Sequence, residues 1–316
     1  MIRSIAFYLP QFHPIKENDE WYGKGFTEWT NVAKAKPLYR GHYQPHVPAD
    51  LGFYDLRLKS VKIEQIELAK KYGITAFCYW YYWFGNGEQI LEKPVWEMYN
   101  DKSIDFPYCI AWANHSWENK LWDSKGNNKL LKEQKYLGEE DYIKFFKNVL
   151  PLLKDERYLT INKKPVVVIY KPLASPEIKI LIDTWRKLAI KENLEGIYFI
   201  GEDRSNRELN KIISYGFDAT YNNNTTEIHH NLSTFNKLRL YFECKFLKKP
   251  MIFKYKDAIK YMVPKESKNE NIFPCIAPNW DHSPRTGSKA IILDNCNPKY
   301  FYKVAKKSNF KCTSKI

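Results

Sequence analysis

The sequence predicts a parallel α/β fold of the TIM-type (β/α) barrel class, incomplete at seven strand units. Three observations carry this expectation. Strand-like and helix-like signals alternate along all 316 residues, as in a chain of βα units. The strand-like runs are apolar at successive positions, as strands buried on both faces are. Polar side chains collect where those runs end, which is where a barrel places its active site.

The first strand begins almost at the N-terminus, where Ile5, Phe7 and Leu9 alternate with smaller or more polar neighbours. Pro10 stops it, and a loop of about 40 residues follows, a length that is usually functional. Leu58, Val61, Leu68, Ala69 and Tyr72 share one helical face that Gly73 ends. ITAFCYWYYWF (74–84) is the second strand, with a short helix around 89–99 behind it. FPYCIAWANHSW (106–117) is the third strand and its loop. Tyr142, Phe145, Phe146 and Val149 make the next helical stripe, which Pro151 stops or kinks. PVVVIYKP (165–172) is the fourth strand, and Ser175 caps a helix with Pro176 at its first position. IYFIGED (197–203) is the fifth, followed by a short helix near 206–214 and by DATYNN, the sixth. IFPCIAPNW (272–280) is the seventh, and a last helix runs from Pro298 to about Lys306.

Closure of such a barrel takes eight strands. Seven leave two open edges with apolar flanks, so a marginally stable chain, or one paired edge to edge in a dimer, is expected. No repeat, linker or second domain is visible: residues 1–316 read as one domain with a disordered tail at 311–316.

Lys and Arg number 50 against 36 Asp and Glu, a net charge of +14. Lys dominates and no arginine cluster points to phosphate, so the charge reads as a solvated lysine surface, and no nucleic-acid partner is expected. The basic, aromatic run 235–265 reads as the crossover between the sixth and seventh strands; its alternative is a contact with a membrane that carries lipid-linked glycans. The six cysteines contain no CxxC, which fits buried, reduced thiols and a cytoplasmic protein, peripheral at most to the inner membrane surface. No apolar run has the length of a transmembrane helix. The sequence has no GxGxxG, P-loop, Asp-x-Asp or His/Cys metal spacing, so no cofactor or metal is expected.

The long first loop interleaves polar groups (Gln11, His13, Glu28, His46) with flat aromatics such as Trp21 and Trp29. That mixture suits a sugar, which has apolar C–H faces and a hydroxyl rim; the plainer alternative is a small aromatic core under the loop. Tyr82 ends the second strand. Trp112 and Asn114 lie at the mouth of the third, as a sugar platform with a clamp or as core tryptophan and loop asparagine. Glu202 ends the fifth strand beside Asp203; adjacent strand residues face opposite ways, so the two are not a catalytic pair with each other. Asp281 and Arg285, after Trp280, suit either a hydroxyl clamp or a structural ion pair.

FYLPQFHPI, NDEWYGKGFTEWTNV and GHYQPHVPADLGFYD resemble the N-terminal signature of the WbsX-type polysaccharide-biosynthesis proteins, also called glycoside-hydrolase-family-99-like. AWANHSWENKLW is similar to the family's Trp-Ala-Asn-Glu-Asn-Trp element, with His115 and Ser116 in place of Glu and Asn. FPCIAPNWDHSPRTG is similar to its Phe-Pro-Cys…Trp-Asp-Asn-Thr…Arg element, matching at Trp280, Asp281 and Arg285. The resemblance implies a carbohydrate-active barrel serving O-antigen, capsule or lipopolysaccharide assembly, as a glycosyltransferase or an endo-acting glycosidase-like enzyme. Its partners would be an oligo- or polysaccharide and a nucleotide-sugar or lipid-linked glycan. The family's Asn-Glu-Trp-x-Glu-Gly motif, which carries the glutamates it would name catalytic, does not occur in the sequence. The catalytic residues therefore stay unassigned, and a glycan-binding protein without them is the alternative.

Overall fold

The structure, a computed structural model, describes residues 3–118, 129–204, 207–263 and 269–312. Seven strands make one parallel sheet in sequence order: β1 (Ile5–Tyr8), β2 (Ala76–Trp83), β3 (Tyr108–Trp112), β4 (Lys164–Ile169), β5 (Tyr198–Asp203), β6 (Ala219–Asn222) and β7 (Ile272–Pro274). All seven expected strands are present, the seventh only as Ile272–Pro274 of the expected 272–280. Among the described residues β1 pairs only with β2 and β7 only with β6, so the barrel is open between them. Ile5 and Phe7, 41% and 38% exposed, flank that opening.

Register decides which side chains enter the barrel. In a parallel pair, opposed residues face the same way. Phe7 lies opposite Cys78, Trp80 opposite Ala111, and Val168 opposite Ile200. Tyr221 lies opposite both Glu202 and Phe273. Phe7 stacks on Trp80, with centroids 4.9 Å apart, and reaches Tyr221 across the lumen at 5.2 Å. Phe7, Trp80, Val168, Glu202 and Tyr221 therefore point inward. The alternate residues meet the helices: Trp83 and Trp112 pack on Phe145, and Phe199 on Trp185.

The outer layer follows the expected helical stripes, with α3 (Lys59–Lys71) before β2, α4 (Lys93–Asn100) before β3 and α7 (Leu209–Ser214) before β6. Helix α5 (Glu139–Leu153) buries Tyr142, Phe145, Phe146 and Val149 and places three acids in its first turn, where the helix dipole favours them. It runs two residues past Pro151 instead of stopping there. Helix α6 (Ile178–Lys191) begins later than Ser175 suggests, with Glu177 at its cap; the Ser175 hydroxyl still accepts from the Glu177 amide at 3.3 Å. Gly201 allows close helix–sheet contact, since a Cβ there would lie 2.9 Å from Ile212 Cγ2.

Two features depart from expectation. The first loop is not unstructured: it carries α1 (Lys16–Tyr22) and α2 (Glu28–Lys34), the latter started by a Thr27/Thr30 capping box. The run 235–265, expected as a plain crossover, holds α8 (Thr234–Lys245), a strand Met251–Lys254 and α9 (Tyr255–Met262). That strand pairs in parallel with Ile291–Asp294 as a second small sheet, over a separate core that includes Phe253, Tyr255, Met262, Leu293 and Val304. A single turn, α10 (Ser283–Thr286), follows β7, and the last helix, α11 (Pro298–Cys312), covers the first two residues of the expected tail; the remainder, 313–316, lies outside the described residues.

Candidate functional site

The long first loop folds over the C-terminal ends of the strands and is pinned there by two polar networks. In the first, Arg285 forms a fork with Glu28: Nη2 lies 2.8 Å from Oε1, and Nε donates to Oε2 at 3.0 Å. The same guanidinium donates to Gln11 Oε1 at 3.3 Å, and Gln11 Nε2 donates to the Tyr82 hydroxyl at 3.3 Å. Asn31 Nδ2 adds a bond to Glu28. Burial holds the Tyr82 phenol up at about 12, so it stays protonated. The fork is a planar bidentate pair, the geometry that arginine supports and lysine does not.

The second network centres on Asp281, which accepts from Gln44 Nε2 at 2.6 Å and from the Ser283 amide at 2.8 Å. His42 Nδ1 accepts from the Leu38 amide, so its Nε2 carries the proton and donates to Asp281 at 2.9 Å. Burial alone would raise the Asp281 carboxyl; the bonds from Ser283, His42 and Gln44 outweigh it and hold it below its ordinary value. His46 stands 4.0 Å from the same carboxylate, half-exposed and set edge-on to Tyr43. Trp280 keeps 42% of its surface in solvent, tilted against His282.

The third group lies in the lumen itself. Glu202 is 3% exposed and points inward from the end of β5. Arg204 Nε donates to its Oε2 at 2.6 Å, and Asn223 Nδ2 donates to Oε1 at 3.0 Å. The Arg204 guanidinium covers the Tyr170 ring at 4.7 Å and also bonds the Tyr170 hydroxyl. Trp80, edge to face, and His115, tilted, each lie 5.2 Å from the Tyr170 ring. Burial raises the Glu202 pKa, and the charge of Arg204 and the hydrogen bonds of Asn223, Arg204 and Tyr221 only partly offset it. A carboxylate whose proton affinity is raised among aromatic rings is suited to moving a proton.

Glu202 also sets a pH dependence of stability. Between the unfolded glutamate value of about 4.3 and its raised folded value, the folded chain binds more protons than the unfolded one. Stability from this group is complete below that window and falls as pH rises through it. Unfolding midpoints measured across this range for wild type and Glu202→Gln should show the slope in the difference between them, and no difference in slope would refute the raised value.

The sequence-predicted residues divide accordingly. Gln11, Glu28, Tyr82 and Arg285 come together in one network, with Asp281 and His46 beside it. Glu202 anchors the lumen. Trp112 is placed elsewhere: 2% exposed on the outer face of β3, it donates from Nε1 to the Trp83 carbonyl at 3.0 Å. Asn114 ties β3 to β4, accepting from the Lys171 amide and donating to its carbonyl, both at 2.8 Å. Trp29 packs on Phe12, Phe53 and Tyr54 and donates to the Tyr54 carbonyl, as core of the loop. His13 is 1% exposed with neither ring nitrogen hydrogen-bonded, and burial lowers its pKa. The charges acting on it come from Asp55, Arg57, Lys93 and Glu97, not from the lumen. The sequence reading did not single out Tyr170, Arg204, Tyr221 or Asn223. Counting alternate positions outward from Glu202 along paired strands is the signal that finds them. Among the described residues, no group of three or more His, Cys, Asp or Glu is placed to hold a metal ion.

A seven-stranded (β/α) half-barrel whose long first loop caps the strand ends defines a TIM-barrel-like protein. Solved structures of this architecture include the glycoside-hydrolase-family-99 endo-α-mannosidase of Bacteroides thetaiotaomicron, with TM-score 0.53 and 14% identity over 98% of this chain and 81% of that one. A glycoside hydrolase-like protein superposes with TM-score 0.57 and 16% identity, over 97% of this chain and 79% of that one. At such identities the likeness concerns fold. The sequence profile of the Glycosyltransferase WbsX family matches residues 4–315, and the chain belongs to that family. WxcX of Xanthomonas campestris pv. campestris, described as an uncharacterized protein, is 35% identical over 301 residues in strains B100 and ATCC 33913. The match covers 94% of this chain and 41% of WxcX, so the chain spans less than half the length of those relatives.

Proposed function

We propose that this chain is a carbohydrate-active protein of surface-polysaccharide biosynthesis that holds an oligo- or polysaccharide at the barrel mouth and transfers a glycosyl unit there. The observation that carries the reading is Glu202, a carboxyl 3% exposed among Trp80, Tyr170 and Tyr221, with its pKa raised. Aromatic faces suit the C–H faces of a sugar, and the carboxyl suits the acceptor hydroxyl, whose proton it would take. Hydrolysis usually needs two carboxyl groups across the scissile bond. Glu28 is committed to Arg285 and Asp281 to His42, Gln44 and Ser283, which favours transfer from an already activated donor, a nucleotide-sugar or a lipid-linked glycan. The five cysteines described are free thiols, in keeping with action in the cytoplasm. Copies of the chain would pair through the open β1 edge, where Ile5 and Phe7 are exposed.

A second reading, glycan binding without catalysis, is favoured by the hydrogen bonds that engage Glu28 and Asp281 and by the Arg204 contact on Glu202. Incubation with nucleotide-sugars and, separately, with α-linked oligosaccharides separates the two. Transfer product that Glu202→Gln reduces at least about a hundredfold, with binding retained, supports the first. Glycan affinity without product from either substrate supports the second. In both, Trp280→Ala should weaken glycan binding by about 1–3 kcal/mol, as loss of a stacking face does. Absence of any glycan affinity in the wild-type chain would defeat both readings.

A further inference from the structure

Helix α8 presents an unusual face to solvent. Phe235, Leu238 and Phe242 are 74%, 64% and 54% exposed, and Phe246, just past the helix with helical dihedrals, is 60% exposed. Their spacing of three, four and four residues puts them on one stripe. No residue of α8 is buried, so this stripe does not serve the core of the fold. The rings of Phe242 and Phe246 lie 5.0 Å apart within it.

What surrounds the stripe identifies its partner. From 234 to 249 the chain has five cations (Lys237, Arg239, Lys245, Lys248 and Lys249) and one acid, Glu243, which Arg239 engages at 3.1 Å. Lys245 Nζ lies 5.6 Å above the Phe246 ring, so charge and apolar surface are interleaved. Behind the helix, Lys237, Lys248 and Lys289 line a cavity of about 400 Å³. An apolar partner protein would account for the stripe but not for this charge. A bilayer with anionic headgroups accounts for both: the apolar side chains enter the headgroup–acyl boundary while lysines reach the phosphates above them. We propose that α8 docks the protein onto an anionic phospholipid surface, lying in the plane of the interface. Among the described residues no helix is long and apolar enough to cross a membrane, so the contact is peripheral. The proposal stands independently of the chemistry at the barrel mouth.

The test is sedimentation of the full chain with sucrose-loaded vesicles of phosphatidylcholine alone or mixed with phosphatidylglycerol. The chain should pellet with the mixed vesicles, with at least about tenfold weaker binding to phosphatidylcholine and a loss on raising salt. Phe242→Ser/Phe246→Ser and Lys245→Glu/Lys249→Glu should each weaken binding to mixed vesicles about tenfold or more. These side chains are exposed, so both variants should keep the wild-type circular dichroism and unfolding midpoint. In the wild-type chain, mixed vesicles should protect amides of 235–249 from hydrogen exchange, a readout that needs no variant. No pelleting with either vesicle overturns the proposal, as does equal binding by wild type and the phenylalanine variant. So does a wild-type dimer that the phenylalanine variant dissociates without any vesicle binding, because the face would then be an interface between two copies.

Discussion

Trp112→Ala is expected to destabilise the chain by about 3–5 kcal/mol, and to affect glycan binding only through the loss of folded protein. The indole is 2% exposed and fills the layer between β3 and α5. It stands edge to face with Phe145 at 5.5 Å and with Tyr136 at 6.0 Å, and its Nε1 hydrogen supplies the Trp83 carbonyl. Truncation removes those contacts, opens a cavity beneath Phe145 and leaves that carbonyl without its donor. With a typical margin of about 5–15 kcal/mol, such a loss puts the unfolding transition close to working temperatures. Denaturant titration of the variant, alongside Trp280→Ala as an exposed control, measures it. Trp280→Ala should stay within about 0.5 kcal/mol of wild type. A Trp112→Ala midpoint equal to wild type, together with weakened glycan binding, would return Trp112 to the barrel mouth and refute the register drawn for β3.

That tryptophan also shows where sequence reading stops. Strands buried on both faces have no polar alternation, so AFCYWYYW and YCIAW do not disclose which alternate set enters the lumen. Existence and order of the seven strands were legible from apolar run length and punctuation, because those signals are local. Parity was legible only as a relation within one strand. Glu202 and Asp203 were expected on opposite faces, and Glu202 faces inward with Tyr221 opposite it. Which of the two faced the lumen needed the pairing with β6. The strand Met251–Lys254 was not legible: four residues in a basic run acquire their sheet partner from Ile291–Asp294, far along the chain.

The candidate site divides along the same line. That the long first loop covers the strand ends was expected, and the Glu28–Arg285 fork and the Asp281 cluster tie it there. Neither pairing could be read from spacing, since each joins residues more than 230 positions apart. The ion pair weighed between Asp281 and Arg285, four positions apart, is replaced by two others: Arg285 takes Glu28, and Asp281 takes His42 and Gln44. Aromatic content was the poorer guide. Trp29 and Trp112 serve packing, whereas the lumen wall uses Tyr170 and Tyr221, which end β-runs that looked like ordinary core.

The opposite face of the barrel should be the most sensitive to a single charge. Arg157, in the turn between α5 and β4, donates to Asp155 through Nε and Nη2 and to the carbonyls of Tyr99, Asp101 and Ile104. Its side chain is 7% exposed and that of Asp155 is fully buried. The Arg157 carbonyl accepts from the amide of Tyr108, the first residue of β3, so this knot lies at the N-terminal end of the strands, where a barrel keeps its stabilising contacts. Arg157→Met leaves the Asp155 carboxylate with Lys102, Tyr108 and the backbone amide of residue 157, and takes the donor from the carbonyls of Tyr99 and Ile104, while that of Asp101 keeps the Ile104 amide; breaking a buried pair in this way costs about 3–5 kcal/mol. Burial alone would raise the Asp155 carboxyl, but the bonds from Arg157 and Lys102 hold it well below the usual carboxylate range. Its folded value is thus depressed, so its stabilisation is present above the unfolded value of about 3.9 and is lost as pH falls toward the folded one. Arg157→Met should therefore lower the unfolding midpoint strongly at neutral pH and flatten the acid side of the stability curve. Asp155→Leu/Arg157→Met should recover only part of the loss, because the carbonyls of Tyr99 and Ile104 still lack a donor. A single variant within about 0.5 kcal/mol of wild type, with an unchanged acid limb, would show that water replaces the guanidinium at no cost and that the knot does not hold the base of the barrel.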